Sequence, residues 1–168
     1  MLPTDGRTLL RCGVYWMIDH RTTVADLGHG IYLGHKDMCQ VGMANRTLHI
    51  YRTDYPSYSC DIITRNEVNK NDMVFEYRDG ESLKKWNIDL SEVYNFFLGD
   101  DSLYIHCAVG QTRGPTLAII AIMARASVSP FLAAARVLKG NWIQRRIVSN
   151  FCITPMQEIF EWWETSVK

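Results

Sequence analysis

Neither sign of charge is in excess in this sequence. Its 168 residues carry 18 Lys+Arg against 18 Asp+Glu, and the pI is about 6.9. That balance argues against a general nucleic-acid binder, which carries a basic surplus, but leaves room for a local basic pocket. Also missing is any apolar run near the ~20 residues that a membrane span needs. The opening Met1-Leu2-Pro3-Thr4-Asp5-Gly6-Arg7 lacks the basic-then-apolar order of a secretion signal. Cysteines are odd in number: Cys12, Cys39, Cys60, Cys107 and Cys152 are scattered through a chain large enough to fold without staples. Free thiols in a reducing compartment are expected. Internal repeats, low-complexity tracts and linkers are absent as well. What the chain does have is apolar material, 47% of its residues, enough for one core. The expectation is a single domain over residues 1–168, monomeric and cytoplasmic, without a cofactor.

Short apolar runs alternate with helical stripes, which indicates an α/β domain. Strands are expected at 30–33, 48–51, 73–77 and 103–106, with another in 13–17. Leu90, Val93, Tyr94 and Phe97 mark a helical stripe behind Asp89, a suitable N-cap. From Pro115 to Ala126 nearly every residue is apolar, so this helix should be buried. Another helix starts at Ser129-Pro130 and stops at Gly140; a last one opens at Thr154-Pro155 with Gln157 in the capping-box position. The fold expected is a central, mostly parallel sheet of four to five strands flanked by helices. The stretch from Arg52 to Asp72 is too long for a structureless loop in a compact domain, and an extra hairpin or a surface loop shaping a binding site is expected there.

One segment carries chemistry: Leu103-Tyr104-Ile105-His106-Cys107-Ala108-Val109-Gly110-Gln111-Thr112-Arg113-Gly114-Pro115-Thr116. It reads as a strand, a Cys-x5-Arg loop and a buried helix. With five Cys and 12 Arg, chance supplies roughly 0.4 bare Cys-x5-Arg matches. Requiring the His before the Cys and the Gly three after it lowers that to roughly one in a thousand. A loop curling into a helix start leaves inward-pointing N–H groups, and with the helix dipole these cradle a tetrahedral oxyanion. A thiol at the mouth of the cradle is expected to be a nucleophilic thiolate. Arg113 can hold two phosphate oxygens in a fork that Lys cannot reproduce. The expected phosphate ligands are Ala108, Val109, Gly110, Gln111, Thr112 and Arg113. No metal is assigned.

From His106 to Arg113 the sequence resembles the His-Cys-x-x-Gly-x-x-Arg signature of the protein tyrosine phosphatase superfamily. Gly30-Ile31-Tyr32-Leu33-Gly34 is similar to the early strand of the dual-specificity phosphatases, and residues 129–140 and 150–164 to their C-terminal helices. The resemblance covers residues 28–51 and 73–166, leaving out 52–72. It implies a two-step phosphomonoester hydrolysis through a phosphocysteine, without metal, on a phosphorylated protein. It also implies an acid on a loop after the strand preceding the Cys strand. Asp79, 28 residues before Cys107, fits that place; Asp72 and Glu81 rank behind it. Gly114 departs from the pattern, since many members carry Ser or Thr there to assist the departing thiolate.

Three other functions compete with a phosphoprotein phosphatase. A phosphate-binding module with weak turnover would follow from Gly114. An RNA 5′-phosphatase would share the loop, against the neutral pI. A rhodanese-like sulfur transferase also places a Cys on a short loop. The resemblance implies protein over phosphoinositide substrates. Loops of that superfamily that handle phosphoinositides often carry Lys between the Cys and the Arg, and none stands between Cys107 and Arg113. His106 is read as a structural hydrogen-bonder that fixes the loop. Cys12, Cys39, Cys60 and Cys152 are read as small apolar residues or free thiols. His35 and Cys39 are spaced i, i+4, but no second pair completes a zinc set.

Overall fold

The computed structural model describes residues 24–54, 59–107, 113–140 and 152–168. Five strands form one sheet: β1 (Val24–Gly28), β2 (Ile31–His35), β3 (Arg46–Tyr51), β4 (Met73–Glu76) and β5 (Leu103–Cys107). Their spatial order is β1-β2-β5-β3-β4, antiparallel between β1 and β2 and parallel elsewhere. The mostly parallel α/β architecture expected from the sequence is present. The strand expected at 13–17 lies outside the described residues.

Alternation of side chains across the pleat divides the sheet into two faces. Ile31 and Leu33 of β2, Leu48 and Ile50 of β3, and Leu103 and Ile105 of β5 feed the main core. Helix α3 (Arg113–Ala126) lies on this face, packed on β2 and β5 and between α2 (Leu90–Phe97) and α4 (Pro130–Gly140). Every α3 residue from Arg113 to Ala124 is buried, which explains its nearly unbroken apolar sequence. Leu117, Ile119, Ile120 and Ile122 are fully enclosed. The predicted cap of α2 is made as expected: the Asp89 carboxylate accepts from the amides of Ser91 and Glu92. The last helix, α5 (Ile153–Ser166), begins one residue before the expected Thr154. No single helix among the described residues is long and apolar enough to cross a membrane.

The opposite face carries a smaller apolar cluster: among the described residues Cys39, Cys60, Ile62 and Tyr104 are buried in it, with Tyr32, Met38, Met43 and Val68 packed around them. The 52–72 stretch packs on it through Cys60, Ile62, Ile63 and Val68. Among its described residues it forms the short helix α1 (Asp61–Thr64) and no hairpin, correcting that part of the sequence expectation. A short 3-10 turn, Lys36–Met38, covers the neighbouring part of this face.

Candidate active site

Parallel strands deliver their carboxyl ends to one edge of the sheet, and ligands of such folds bind there. Cys107 ends β5, the central strand, and Arg113 opens α3. Ala108, Val109, Gly110, Gln111 and Thr112 lie outside the described residues. The geometry on either side of them is defined by Gly114. A Cβ added there would sit 3.5 Å from Cys107 Sγ, so the sulfur faces the first turn of α3. The same Cβ would approach Leu33 Cδ1 to 2.9 Å. Leu33 is fully buried, so this core leaves little room for the Ser or Thr of the family pattern.

Arg113 is pinned from the neighbouring loop. Its side chain is 5% exposed, and Nη1 donates to the Tyr77 carbonyl at 3.2 Å. Nε stands 3.0 Å from Asp79 Oδ1, whose side chain is 58% exposed. The predicted acid therefore reaches from the loop after β4 to the predicted phosphate-binding arginine. The loop conformation has local causes. Gly80 takes a φ of +74°, which L side chains resist, and a Cβ there would meet Cys152 Sγ at 3.1 Å. The Tyr77 hydroxyl donates to the Glu81 carbonyl at 2.6 Å, and burial pushes this phenol's pKa up.

Farther along the loop, Glu158 of α5 accepts from the Leu83 amide at 2.7 Å and the Ser82 hydroxyl at 2.9 Å. Sequence reading did not single out Glu158, because nothing local links it to residues 82–83. The other two acid candidates are placed elsewhere. Asp72 stands at the start of β4, its carboxylate 3.1 Å from His49 Nε2 and accepting from the Thr47 amide at 3.0 Å. Glu81 pairs with the Trp86 indole and with Lys85, contacts that hold its carboxyl below the usual range.

His106, immediately before Cys107, points to the face away from α3. Its Nδ1 lies 3.3 Å from the Cys107 carbonyl and its Nε2 lies 2.8 Å from His49 Nδ1. Burial holds its pKa below the ordinary imidazole value. Around the two rings stand Cys39 and Cys60, both 10 or more residues from their partners in sequence and so invisible as a motif. Burial opposes a charged His49, but hydrogen bonds and charges from Cys60 and Asp72 raise its pKa. His35 Nδ1 accepts from the Asp37 amide at 3.0 Å. Although the sequence assigned no metal and offered only the His35–Cys39 spacing, the fold gathers two cysteines, Cys39 among them, and two histidines here.

No protein-family description and no curated protein matches the chain by sequence. Solved structures do match. Human tyrosine phosphatase-like serine/threonine/tyrosine-interacting protein is 13% identical with a TM-score of 0.64, over 86% of this chain and 98% of that one. PTPMT1 in complex with PI(5)P is 14% identical with a TM-score of 0.60, over 84% and 95%. Cydia pomonella PTP-2 phosphatase is 14% identical with a TM-score of 0.60, over 82% and 88%. Similarity at this identity speaks to the fold, and the fold of this chain is that of the dual-specificity-like protein tyrosine phosphatases.

Proposed function

We propose that this protein is a cysteine-dependent phosphomonoester hydrolase acting on phosphorylated protein. The observation that carries the proposal is the Asp79–Arg113 contact at the carboxyl edge of the sheet, beside the strand that ends in Cys107. The candidate acid thus lies on the candidate anion-binding arginine, which supports reading Cys107 at the end of β5 as their nucleophile.

The Cys107 thiolate attacks phosphorus and forms a P–S bond as the ester P–O bond breaks. Asp79 donates its proton to the leaving oxygen, so the alcohol or phenol departs neutral. Water then attacks phosphorus, Asp79 takes its proton, and the P–S bond breaks to release inorganic phosphate and the thiolate. Arg113 binds the phosphoryl oxygens throughout, with the backbone donors of 108–112 and the positive end of α3 sharing the charge. Cytoplasmic, monomeric action on protein phosphotyrosine or phosphoserine/threonine completes the reading.

Gly114 favours a second reading, a phosphate-binding module that turns over slowly. No side chain at that position can donate to the departing sulfur, so breakdown of the phosphocysteine loses one source of assistance. One matching structure is itself named a phosphatase-like interacting protein. A panel of phosphotyrosyl and phosphothreonyl peptides, a phosphoinositide and a 5′-triphosphorylated RNA, assayed with wild type and Cys107→Ser, separates these. Steady phosphate release from peptide, abolished in Cys107→Ser, is expected. A single burst without steady release establishes the second reading. Preference for lipid or RNA, or sulfur transfer from thiosulfate, contradicts the first.

A further inference from the structure

Behind the sheet, on the face away from α3, sit four side chains whose sulfur and nitrogen atoms take no part in phosphoryl transfer. They come from four separate stretches. Cys39 follows the 3-10 turn Lys36–Met38, His49 lies in β3, Cys60 precedes α1, and His106 lies in β5. All four are buried, and one ligand atom from each lies within 4.8 Å of all the others. We propose that Cys39, His49, Cys60 and His106 bind one zinc ion in a closed tetrahedral site behind the Cys107 strand.

The spacing fits that ion. Zinc bonds to sulfur and nitrogen imply tetrahedral edges of about 3.5 Å between S and N and about 3.3 Å between two N. Cys39 Sγ and Cys60 Sγ lie 3.4 Å and 3.5 Å from His49 Nδ1. His49 Nδ1 and His106 Nε2, at 2.8 Å, need to part by about half an ångström on ligation. Two thiolates and two imidazoles form a donor set that suits zinc better than magnesium or calcium, which take oxygen.

The outer nitrogens point to the same conclusion. His49 Nε2 faces the Asp72 carboxylate at 3.1 Å, and Asp72 is itself oriented by the amides of Thr47 and Asn69. His106 Nδ1 faces the Cys107 carbonyl at 3.3 Å. Both outer partners only accept, so with a metal bound each ring would carry its proton outward and turn a lone pair inward. A carboxylate or carbonyl behind the imidazole is the usual support of a metal-bound histidine. At 2.8 Å the two inner nitrogens must share either one proton or one cation. One proton would serve only that pair, whereas one metal ion serves both nitrogens and both sulfurs. Charge also balances: a zinc ion that displaces two thiol protons leaves a neutral metal–thiolate unit in a buried place.

The location gives the metal a structural task. Four protein ligands leave no open position for substrate or water, which is the mark of a structural site. On this face residues 38–44 and 60–68 are held to the sheet by a small apolar cluster with Cys39, Cys60, Ile62 and Tyr104 at its centre. A metal tying Cys39 and Cys60 to β3 and β5 would fasten both segments to the sheet. It would also fix the backbone of β5 one residue before Cys107. The phosphoryl chemistry itself would remain metal-free.

The test uses the full chain, purified under reducing conditions, with bound metal counted by plasma mass spectrometry and cobalt(II) titrated into the stripped protein. One zinc per chain is expected. Cobalt should give the intense visible bands of a four-coordinate site with thiolate-to-metal charge transfer. Cys39→Ser and Cys60→Ser should each weaken the charge-transfer band and lower zinc affinity at least about 100-fold. Asp72→Asn should lower affinity about 10- to 100-fold while keeping the spectrum, because it touches only the outer support. Cys107→Ser should keep the zinc whether or not the protein is a phosphatase. The proposal is overturned if wild type binds no stoichiometric zinc, or if bound cobalt shows only a weak octahedral spectrum. A Cys39–Cys60 disulfide in the reduced preparation, or undiminished binding in the double Cys39→Ser/Cys60→Ser variant, overturns it equally. The wild-type cobalt spectrum decides the matter even if a variant does not fold.

Discussion

Asp79→Asn should change binding and turnover in opposite directions. The Asp79 carboxylate occupies Arg113 Nε at 3.0 Å, while Nη1 is committed to the Tyr77 carbonyl. A phosphate dianion that uses the Nε side of the guanidinium must first displace Asp79. The contact is charge-assisted, but the Asp79 side chain is 58% exposed, so its strength is discounted to about 1 kcal/mol. Removing the charge should then tighten binding of tungstate or inorganic phosphate about fivefold, since each 1.36 kcal/mol is a factor of ~10. Loss of the proton donor should lower kcat on a phosphotyrosyl peptide about 10²- to 10⁴-fold. An activated aryl phosphate, whose leaving group needs little protonation, should lose far less. Calorimetric titration with the oxyanion and paired kinetics on the two substrates provide the readouts. Unchanged oxyanion affinity together with equal losses on both substrates would falsify the assignment of Asp79 to both tasks. A larger kinetic loss in Asp72→Asn would do the same, although Asp72 faces away from the site.

Three further outcomes follow from particular contacts. Gly114→Ser should cost about 1–3 kcal/mol through overpacking against Leu33, and Leu33→Val in the same chain should recover much of that loss in a thermal melt. In the relieved double variant the steady phosphate-release rate should rise relative to the burst, and an unchanged ratio removes Gly114 as the limit on phosphoenzyme breakdown. Arg113→Lys keeps the charge but loses the fork that reaches both Asp79 and Tyr77, so kcat/KM should fall at least about 100-fold; near wild-type activity contradicts its role. Asp101 accepts from Arg46 Nε at 3.0 Å and from Arg46 Nη2 at 2.7 Å, with Arg125 Nη2 at 3.2 Å, and these contacts lower its pKa. A lowered carboxyl pKa stabilises the fold above the unfolded value near ~3.9 and loses that effect as pH falls through the folded value. Asp101→Asn should thus be less stable than wild type at pH ~7 and should converge with it on acid titration below pH ~4; a gap independent of pH removes the ionic explanation.

Local pattern disclosed most of the fold. Continuous apolar runs marked β2, β3, β4 and β5, and the unbroken apolar character of α3 foretold a helix enclosed on all sides. Strand β1 escaped notice although Ala25 and Leu27 alternate inward, because its outward residues break the apolar run and its turn is unusual. His29 and Gly30 both have positive φ, as a two-residue hairpin turn requires, but the familiar Asn at the first place is a His here. The candidate site divides in the same way. Cys107 and Arg113 stand in one loop whose spacing has a physical meaning, whereas Asp79 is reached only through what the family resemblance implies for a loop after a strand. The contact between Leu33 and Gly114, the anchoring of the loop by Glu158, and the Cys39–His49–Cys60–His106 cluster depend on chain crossings. No run of neighbouring residues records them.

The central claim is that Cys107 becomes phosphorylated during turnover. Acid quenching of wild type mixed with a phosphotyrosyl peptide, followed by peptide mass spectrometry, tests it directly. A phosphate group on the peptide containing Cys107 is expected within the first turnover. It should persist longer than product release would require if breakdown is slow beside Gly114, and it should be absent in Cys107→Ser. Phosphate released by wild type with no adduct at any quench time, or an adduct on a residue other than Cys107, contradicts the account.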